Sequence, residues 1–277
     1  MSADAPPAGT RRRGAAHPWD ERAEWWKATF TAGADPEYEA EILPIVEREL
    51  AGSRRVLDVG CGEGQVARRL VSSGGGRSAV VGVDPSAAQV VNALAAGGGP
   101  RYLQAEGERL PFARASFDAV VCCLVIEHAR DADALLEEVA RVLEPGGRFL
   151  LLVNHPLYQG PGSGFVDDQI LGERYWRVGP YLTEGVSTEE VDAGVRIDFA
   201  HRPLSRYVNP LAAHDLLLTS MEEPAPLAEF LATSVDPALE GAIPRLLVLR
   251  FEHRPRGGRI APGDRAGEER GGRWPST

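Results

Sequence analysis

Positive charge is scarce in this sequence. Its 277 residues carry 30 Lys plus Arg against 40 Asp plus Glu, a net charge of −10, and Lys27 is the only lysine. A phosphate backbone requires a basic footprint, so nucleic acid is not an expected partner. Cysteine is scarce too: Cys61, Cys122 and Cys123 are odd in number, and the adjacent pair could be bridged only with strain. That excludes a disulfide framework and points to a reducing, cytoplasmic setting. No apolar stretch reaches the roughly 18 residues of a membrane span. None follows the basic cluster Arg11 to Arg13 as it would in a leader, so the chain reads as soluble and not exported. No Cys or His falls at zinc spacing around the cysteines, and the pair Asp167-Asp168 reads as solvated, so no metal is expected.

What is present is a 43% hydrophobic chain, enough for one domain with insertions. Residues 1–16 and 254–277 have almost nothing to bury and read as disordered tails. Between them, over 17–253, apolar runs alternate with helical patterns. "RRVLDVG" precedes a helix from Gln65, and "AVVGVD" a helix from Ser86. "RYLQAE" and "FDAVVCCLV" follow, then a helix from Asp131 and "RFLLLVN". Continuous apolar strands in βα order indicate a mostly parallel sheet buried on both faces by helices, a Rossmann-like seven-stranded arrangement. Ser86 and Asp131 stand where helix N-caps belong. Residues 17–50 read as an N-terminal helical cap and 51–154 as a ligand-binding core. Residues 155–193 form a lid insertion after the fifth strand, since aperiodic stretches of that length are usually binding loops. Residues 194–253 supply two further strands, "GVRIDFAH" and "RLLVLRFE", with a helix "SRYV…AAHDLLL" between them in which Pro210 marks a break and Asn209 a fresh cap.

"VLDVGCGEGQVARRL", residues 56–70, is a strand, a glycine turn and a helix start, the layout of a nucleotide-type site at a strand's carboxyl end. The glycines Gly60, Gly62 and Gly64 are spaced G-x-G-x-G rather than the dinucleotide pattern G-x-G-x-x-G, and Asp58 and Glu63 flank them. A carboxylate about 4 Å from a phosphate charge costs on the order of 4 kcal/mol at an effective dielectric near 20, and beside a cation it gains as much. The turn therefore favours a cationic nucleoside, and S-adenosylmethionine, with its sulfonium and ammonium, meets that description. Asp84 lies 24 residues past Gly60, placed for a ribose.

With "LDVGCGEG", "GVDPS", "EGERLPF", "FDAVVCCLVIEHARD" and "LEPGGRFLLLVNHP" in that order, residues 40–155 resemble the class I S-adenosylmethionine-dependent methyltransferases, specifically the type 11 group acting on small molecules. The resemblance implies cofactor contacts at Asp58, Gly60, Cys61, Gly62 and Gly64, and at Asp84, Pro85 and Ser86, with Asp84 on the ribose hydroxyls. It implies adenine contacts around Glu106, Gly107 and Glu108, where the family usually has Asp-Ala and this chain has Glu106-Gly107. Cys123 and Leu124 match positions beside the methionine portion, and His128 matches the same motif.

For catalysis, His155 in "NHP" and His201 in "FAHRPLS" lie just past strand ends and are the candidate general bases. The resemblance also implies that the N-terminal helix and the insertion cover an acceptor pocket, which makes Trp25, Trp26, Tyr158, Tyr175, Trp176 and Arg202 candidate substrate contacts. The expected partner is a small-molecule acceptor, with a homodimer left open. Two rival readings stand beside the methyltransferase: a non-catalytic protein keeping the cofactor pocket, and a nicotinamide-dependent oxidoreductase on the same sheet.

Overall fold

The computed structural model describes residues 17–31, 34–74 and 79–254. Both tail readings (save Arg254) and the glycines at 75 and 76 lie outside them. A short helix α1 (Ala23–Phe30) and a π-helical turn at Tyr38–Ile42 running into α2 (Leu43–Glu49) precede β1 (Arg55–Val59). Then come α3 (Gln65–Ser72), β2 (Ala79–Asp84), α4 (Ala87–Ala96), β3 (Arg101–Gln104), β4 (Phe117–Cys123), a 3-10 turn at Ile126–His128, α5 (Ala132–Val142) and β5 (Leu143–Asn154). The caps fall where the sequence puts them: Ser86 Oγ accepts from Gln89 N at 3.2 Å, and Asp131 Oδ1 from Ala134 N at 3.0 Å.

The remaining elements are β6 (Gly164–Asp168), β7 (Glu173–Arg177), β8 (Gly185–Asp192), β9 (Val195–His201), α6 (Ser205–Ala213), β10 (Leu216–Glu222), α7 (Ala228–Leu231), α8 (Pro237–Glu240) and β11 (Leu246–His253). Seven strands make the main sheet in the order β10-β11-β5-β4-β1-β2-β3. Six run the same way, and β11 is reversed, pairing antiparallel with both β10 and β5. Side chains alternate between two cores. Leu57, Val59, Val120, Cys122, Phe149 and Leu151 pack under α5 and α6, while Val56, Ala119, Val121, Cys123, Leu150 and Leu152 pack with α2, α3 and α4. This burial on both faces is why these strands carry near-continuous apolar runs, with Asp58 as the buried exception on β1.

Three sequence expectations need correction. "GVRIDFAH" is not a strand of the main sheet; as β9 it pairs with β8 in a separate hairpin that crosses the 193 boundary. The seventh strand is β10, whose leucines read as the end of a helix. The helix stops at Ala213, and Asp215, at φ +61°, turns the chain into the sheet. Pro210 does not break α6, which runs through it without a cap at Asn209. The aperiodic stretch after β5 also holds its own hairpin, β6 against β7.

Candidate active site

The chain passes from β1 to β2 and β3 on one side and returns to β4 on the other. A crevice therefore opens at the carboxyl ends of β1 and β4, the place where open α/β sheets bind ligands. There the structure has a cleft of about 980 Å³, counted out to solvent. The turn after β1 forms one wall. Gly60 N and Cys61 N donate to the Val83 carbonyl at 2.8 and 2.9 Å, fixing the turn to β2. All three turn glycines have positive φ, at +74°, +53° and +85°. A Cβ at Gly60 would collide with Val125, and one at Gly64 with Tyr102, so these two glycines admit neighbouring protein. Only at Gly62 would a Cβ meet open cleft, its nearest atom being Trp26 Nε1 at 3.7 Å. Sequence reasoning treated the three as one ligand cradle; steric demand divides them.

The acids also differ in role. Asp58 is 1% exposed; one oxygen takes the Ala67 N–H, and Oδ2 has no partner among the described residues. Burial, reinforced by the nearby Asp84 charge, lifts its carboxyl to about 7. Asp84 closes β2 and accepts from Gly62 N at 2.9 Å and Ser86 N at 2.8 Å. Burial lifts it to about 6 against these two N–H donors. Glu63 does not act as the free negative flank the sequence suggested: its carboxylate is paired with Arg68. Glu106 lines the cleft with Arg130 Nη2 3.6 Å away, and Glu108 lines it beside them. The buried acids at the cleft without a cationic partner are thus Asp58 and Asp84.

Of the cofactor candidates, Asp58, Gly60, Cys61, Gly62, Asp84, Pro85, Glu106, Gly107, Glu108, Cys123, Leu124 and His128 all border this cleft. Gly64 and Ser86 stand just behind it. Leu124 sits at φ +54°, a strained conformation for a leucine, held by its N–H on the Leu152 carbonyl at 2.9 Å. His128 Nδ1 lies 2.9 Å from the Asp198 carbonyl, so Nδ1 carries the proton and Nε2 is left as the acceptor.

Sequence reasoning missed His17, Trp19, Tyr38, Gln65 and Gln89, which also border the cleft. Asp20 shows how the N-terminal segment reaches it: its carboxylate accepts from Ser86 Oγ at 2.7 Å and Ala88 N at 3.2 Å, at the start of α4. Trp19 then packs edge-on against Trp26 and His128, at 5.6 and 5.2 Å between ring centres. No local motif signals such docking; the acid-aromatic cluster "HPWDERAEWW" is its one trace.

Most acceptor and catalytic candidates lie elsewhere. Of the six substrate candidates, only Trp26 borders the cleft. Trp25 bonds Asp192 at 2.8 Å. Tyr158 stacks on Trp176 at 5.0 Å with Arg245 5.3 Å from its ring centre, and Tyr175 is solvent-exposed on β7. Arg202 donates to the carbonyls of Ile126 and Ala129. His155 is buried off the cleft with both nitrogens committed, Nδ1 to the Leu157 N–H at 3.1 Å and Nε2 to Glu223 at 2.8 Å. His201 holds the Tyr181 carbonyl through Nε2 at 2.8 Å and borders a second, smaller cavity. We expect His155→Asn to cost about 1–2 kcal/mol of stability by urea titration, with affinity for S-adenosylhomocysteine unchanged by calorimetry. A loss of affinity would put His155 back in the site. Among the described residues no group of three or more His, Cys, Asp or Glu is arranged to hold a metal ion, and no helix is long and apolar enough to cross a membrane.

Comparison with known proteins agrees with this geometry. A family described as "Methyltransferase domain", of type 11, matches residues 57–151. An "Uncharacterized methyltransferase" of Mycobacterium sp. (strain JLS) is 35% identical over 125 residues, covering 45% of this chain and 48% of that protein. The ubiquinone/menaquinone biosynthesis C-methyltransferase UbiE of Syntrophotalea carbinolica is 40% identical over 115 residues, 40% of this chain and 48% of that protein. The chain spans about half the length of the curated relatives it matches. The solved S-adenosylmethionine-dependent methyltransferase of Mesorhizobium loti superposes with a TM-score of 0.63 at 29% identity, over 78% of this chain and 97% of that one. Sheet order, motif order and these likenesses converge: residues 57–151 match the methyltransferase-domain family, and the chain has the fold of the solved S-adenosylmethionine-dependent methyltransferases.

Proposed function

We propose that this protein binds S-adenosylmethionine in the cleft and transfers its methyl group to a small-molecule acceptor. The observation that carries the reading is Asp58, a buried carboxyl with one oxygen unpartnered at the cleft wall and a second buried acid, Asp84, beside it. A cation there satisfies both, whereas a phosphate is repelled by on the order of 4 kcal/mol at about 4 Å and an effective dielectric near 20. This is also why a nicotinamide dinucleotide suits the site poorly.

Asp84 would take the ribose hydroxyls, its orientation already set by the N–H groups of Gly62 and Ser86. Glu106 and Gln89 would meet the base, and the Gly60–Gly62 backbone with Cys123 and Leu124 the amino-acid portion. Bound there, the cofactor supplies a methyl group already activated on a positively charged sulfur. The chain's own contribution is alignment in a dry space, a source worth roughly 7–11 kcal/mol in favourable cases. Trp19, Trp26 and Tyr38 exclude water above it. Should the acceptor be a hydroxyl, His128 is the base in place: Asp198 fixes its Nδ1 proton and Nε2 can receive another. That role replaces the one first given to His155 and His201.

Calorimetry with S-adenosylhomocysteine tests the reading, with an expected dissociation constant on the order of micromolar, about −8 kcal/mol. Its pH dependence follows from the two acids. Below about 6 both carboxyls hold protons that a bound cation displaces, so affinity rises from pH 5 to pH 8 by about tenfold or more and protons are released to buffer on binding. An affinity flat across that range removes these acids from the site. Heat with NAD and none with S-adenosylhomocysteine overturns the function itself.

A further inference from the structure

The imidazole of His128 is oriented from outside the sheet that carries it. The 3-10 turn at Ile126–His128 follows β4, and the turn's own bond fixes its backbone, His128 N donating to the Val125 carbonyl at 2.8 Å. The ring is held by β9: Nδ1 lies 2.9 Å from the Asp198 carbonyl, and the Phe199 ring centre is 5.0 Å away. From the N-terminal strap, residues 17–26, Trp19 meets the same ring edge-on at 5.2 Å. Neither β9 nor the strap belongs to the main sheet. β9 pairs with β8 in a two-stranded sheet, which leaves its other edge without a ladder among the described residues.

Arg22 occupies that edge beside His128. Its Nε and Nη2 donate to the Arg196 carbonyl at 2.9 and 2.7 Å. Carbonyls two residues apart leave a strand on the same side, about 7 Å from one another, so Arg196 and Asp198 offer successive acceptors, one to Arg22 and the next to His128. The remaining arm of Arg22, Nη1, donates to the Pro18 carbonyl, one residue before Trp19. One guanidinium therefore joins the two segments that touch the His128 ring. The fork is planar and permanently charged, so it sets both carbonyls in a fixed relation. Arg22 itself does not border the cleft.

We propose that Arg22 is a positioning residue for His128: by clasping the strap to β9 it fixes the imidazole in the tautomer protonated at Nδ1, with Nε2 kept to receive a proton from the methyl acceptor. The same clasp holds Trp19 at the cleft, so enclosing the cofactor and orienting the base are one event. This inference rests on the methyltransferase reading, which gives His128 a proton to take.

The test is the tautomer of His128, read by long-range nitrogen–proton NMR on the whole chain at pH 8 with and without S-adenosylhomocysteine, the signal being assigned with His128→Gln. The wild type is expected to carry its proton on Nδ1. Arg22→Ala is expected to shift the ratio of the two tautomers by about fivefold toward Nε2-H, the change that losing one hydrogen bond's worth of restraint produces. Asn92→Ala frees Glu24, another mooring of the strap, without touching β9, and is expected to keep the wild-type ratio. A wild type protonated at Nε2, an unchanged ratio in Arg22→Ala, or an equal shift in Asn92→Ala overturns the clasp. An Arg22 that serves stability alone would lower the urea midpoint and leave the ratio where it was. The spectra without ligand keep the two readings apart: a wild type that takes up no S-adenosylhomocysteine overturns the methyltransferase reading, and the ratio by itself decides the clasp.

Discussion

Asp58→Asn is expected to make the ligand-free protein more stable while cutting its affinity for S-adenosylhomocysteine by about 10- to 100-fold. The two effects have one cause. In the folded chain the Asp58 carboxyl is lifted from an ordinary 3.8 to about 7, first by burial and then by the charge of Asp84. Between those values the folded state holds a proton that the unfolded chain has released, so stability falls as pH rises through the interval. The full lift corresponds to on the order of 4 kcal/mol above pH 7. Asparagine keeps the acceptor that receives the Ala67 N–H and removes the charge, but adds a buried N–H pair. The net gain should be about 2 kcal/mol at pH 8 and shrink toward zero at pH 5. Urea titrations at the two pH values measure it. A gain of equal size at both would show that charge is not its origin, and unchanged affinity would separate Asp58 from the ligand. A site residue that destabilises the empty fold is the expected compromise between stability and function.

Gly64→Ala is expected to cost about 3 kcal/mol or more. Its φ of +85° disfavours any side chain by about 1–2 kcal/mol. The new Cβ would also press on the Tyr102 hydroxyl, which is buried and donates to the Gly64 carbonyl at 3.3 Å. Overpacking of that kind adds about 1–3 kcal/mol. Gly62→Ala is the internal control, with the same backbone penalty and nothing but Trp26 Nε1 at 3.7 Å. It should stay folded and lose ligand affinity instead. Midpoints for both by urea titration decide the matter: equal losses would mean that the Tyr102 contact carries no weight.

The sequence made the central strands legible because they are buried on both faces, and continuous apolar runs such as "AVVGVD" and "RFLLLVN" follow directly from that. Strand β10 obeys a different rule. It lies at the sheet edge with Leu217, Leu218 and Met221 exposed, and only His214 and the left-handed Asp215 separate it from α6. Its leucines therefore continue a helical pattern without visible punctuation. In the cleft, the legible residues were those carried by local motifs, the glycine turn and Asp84 among them. His17 and Trp19 arrive by docking of a distant segment, which leaves no spacing to read, while Gln89 lies in the first turn of α4 just past Asp84. The aromatics after β5 do not border the cleft, for a related reason: Tyr158 and Trp176 pair with each other, and Arg245 packs on the rings of Tyr158 and Phe230. His155 was rightly placed past a strand end, but the Leu157 N–H and Glu223 hold its ring away from the cleft.

The N-terminal strap has a kinetic consequence. Residues 17–26 precede the matched domain at 57–151, yet they border the cleft through His17, Trp19 and Trp26. They are moored at α4 by Asp20 and at the β8–β9 hairpin through Trp25 and Arg22. On the proposed reading, a bound nucleoside leaves past a segment outside the matched domain, so relatives alike over 57–151 are expected to differ in residence time.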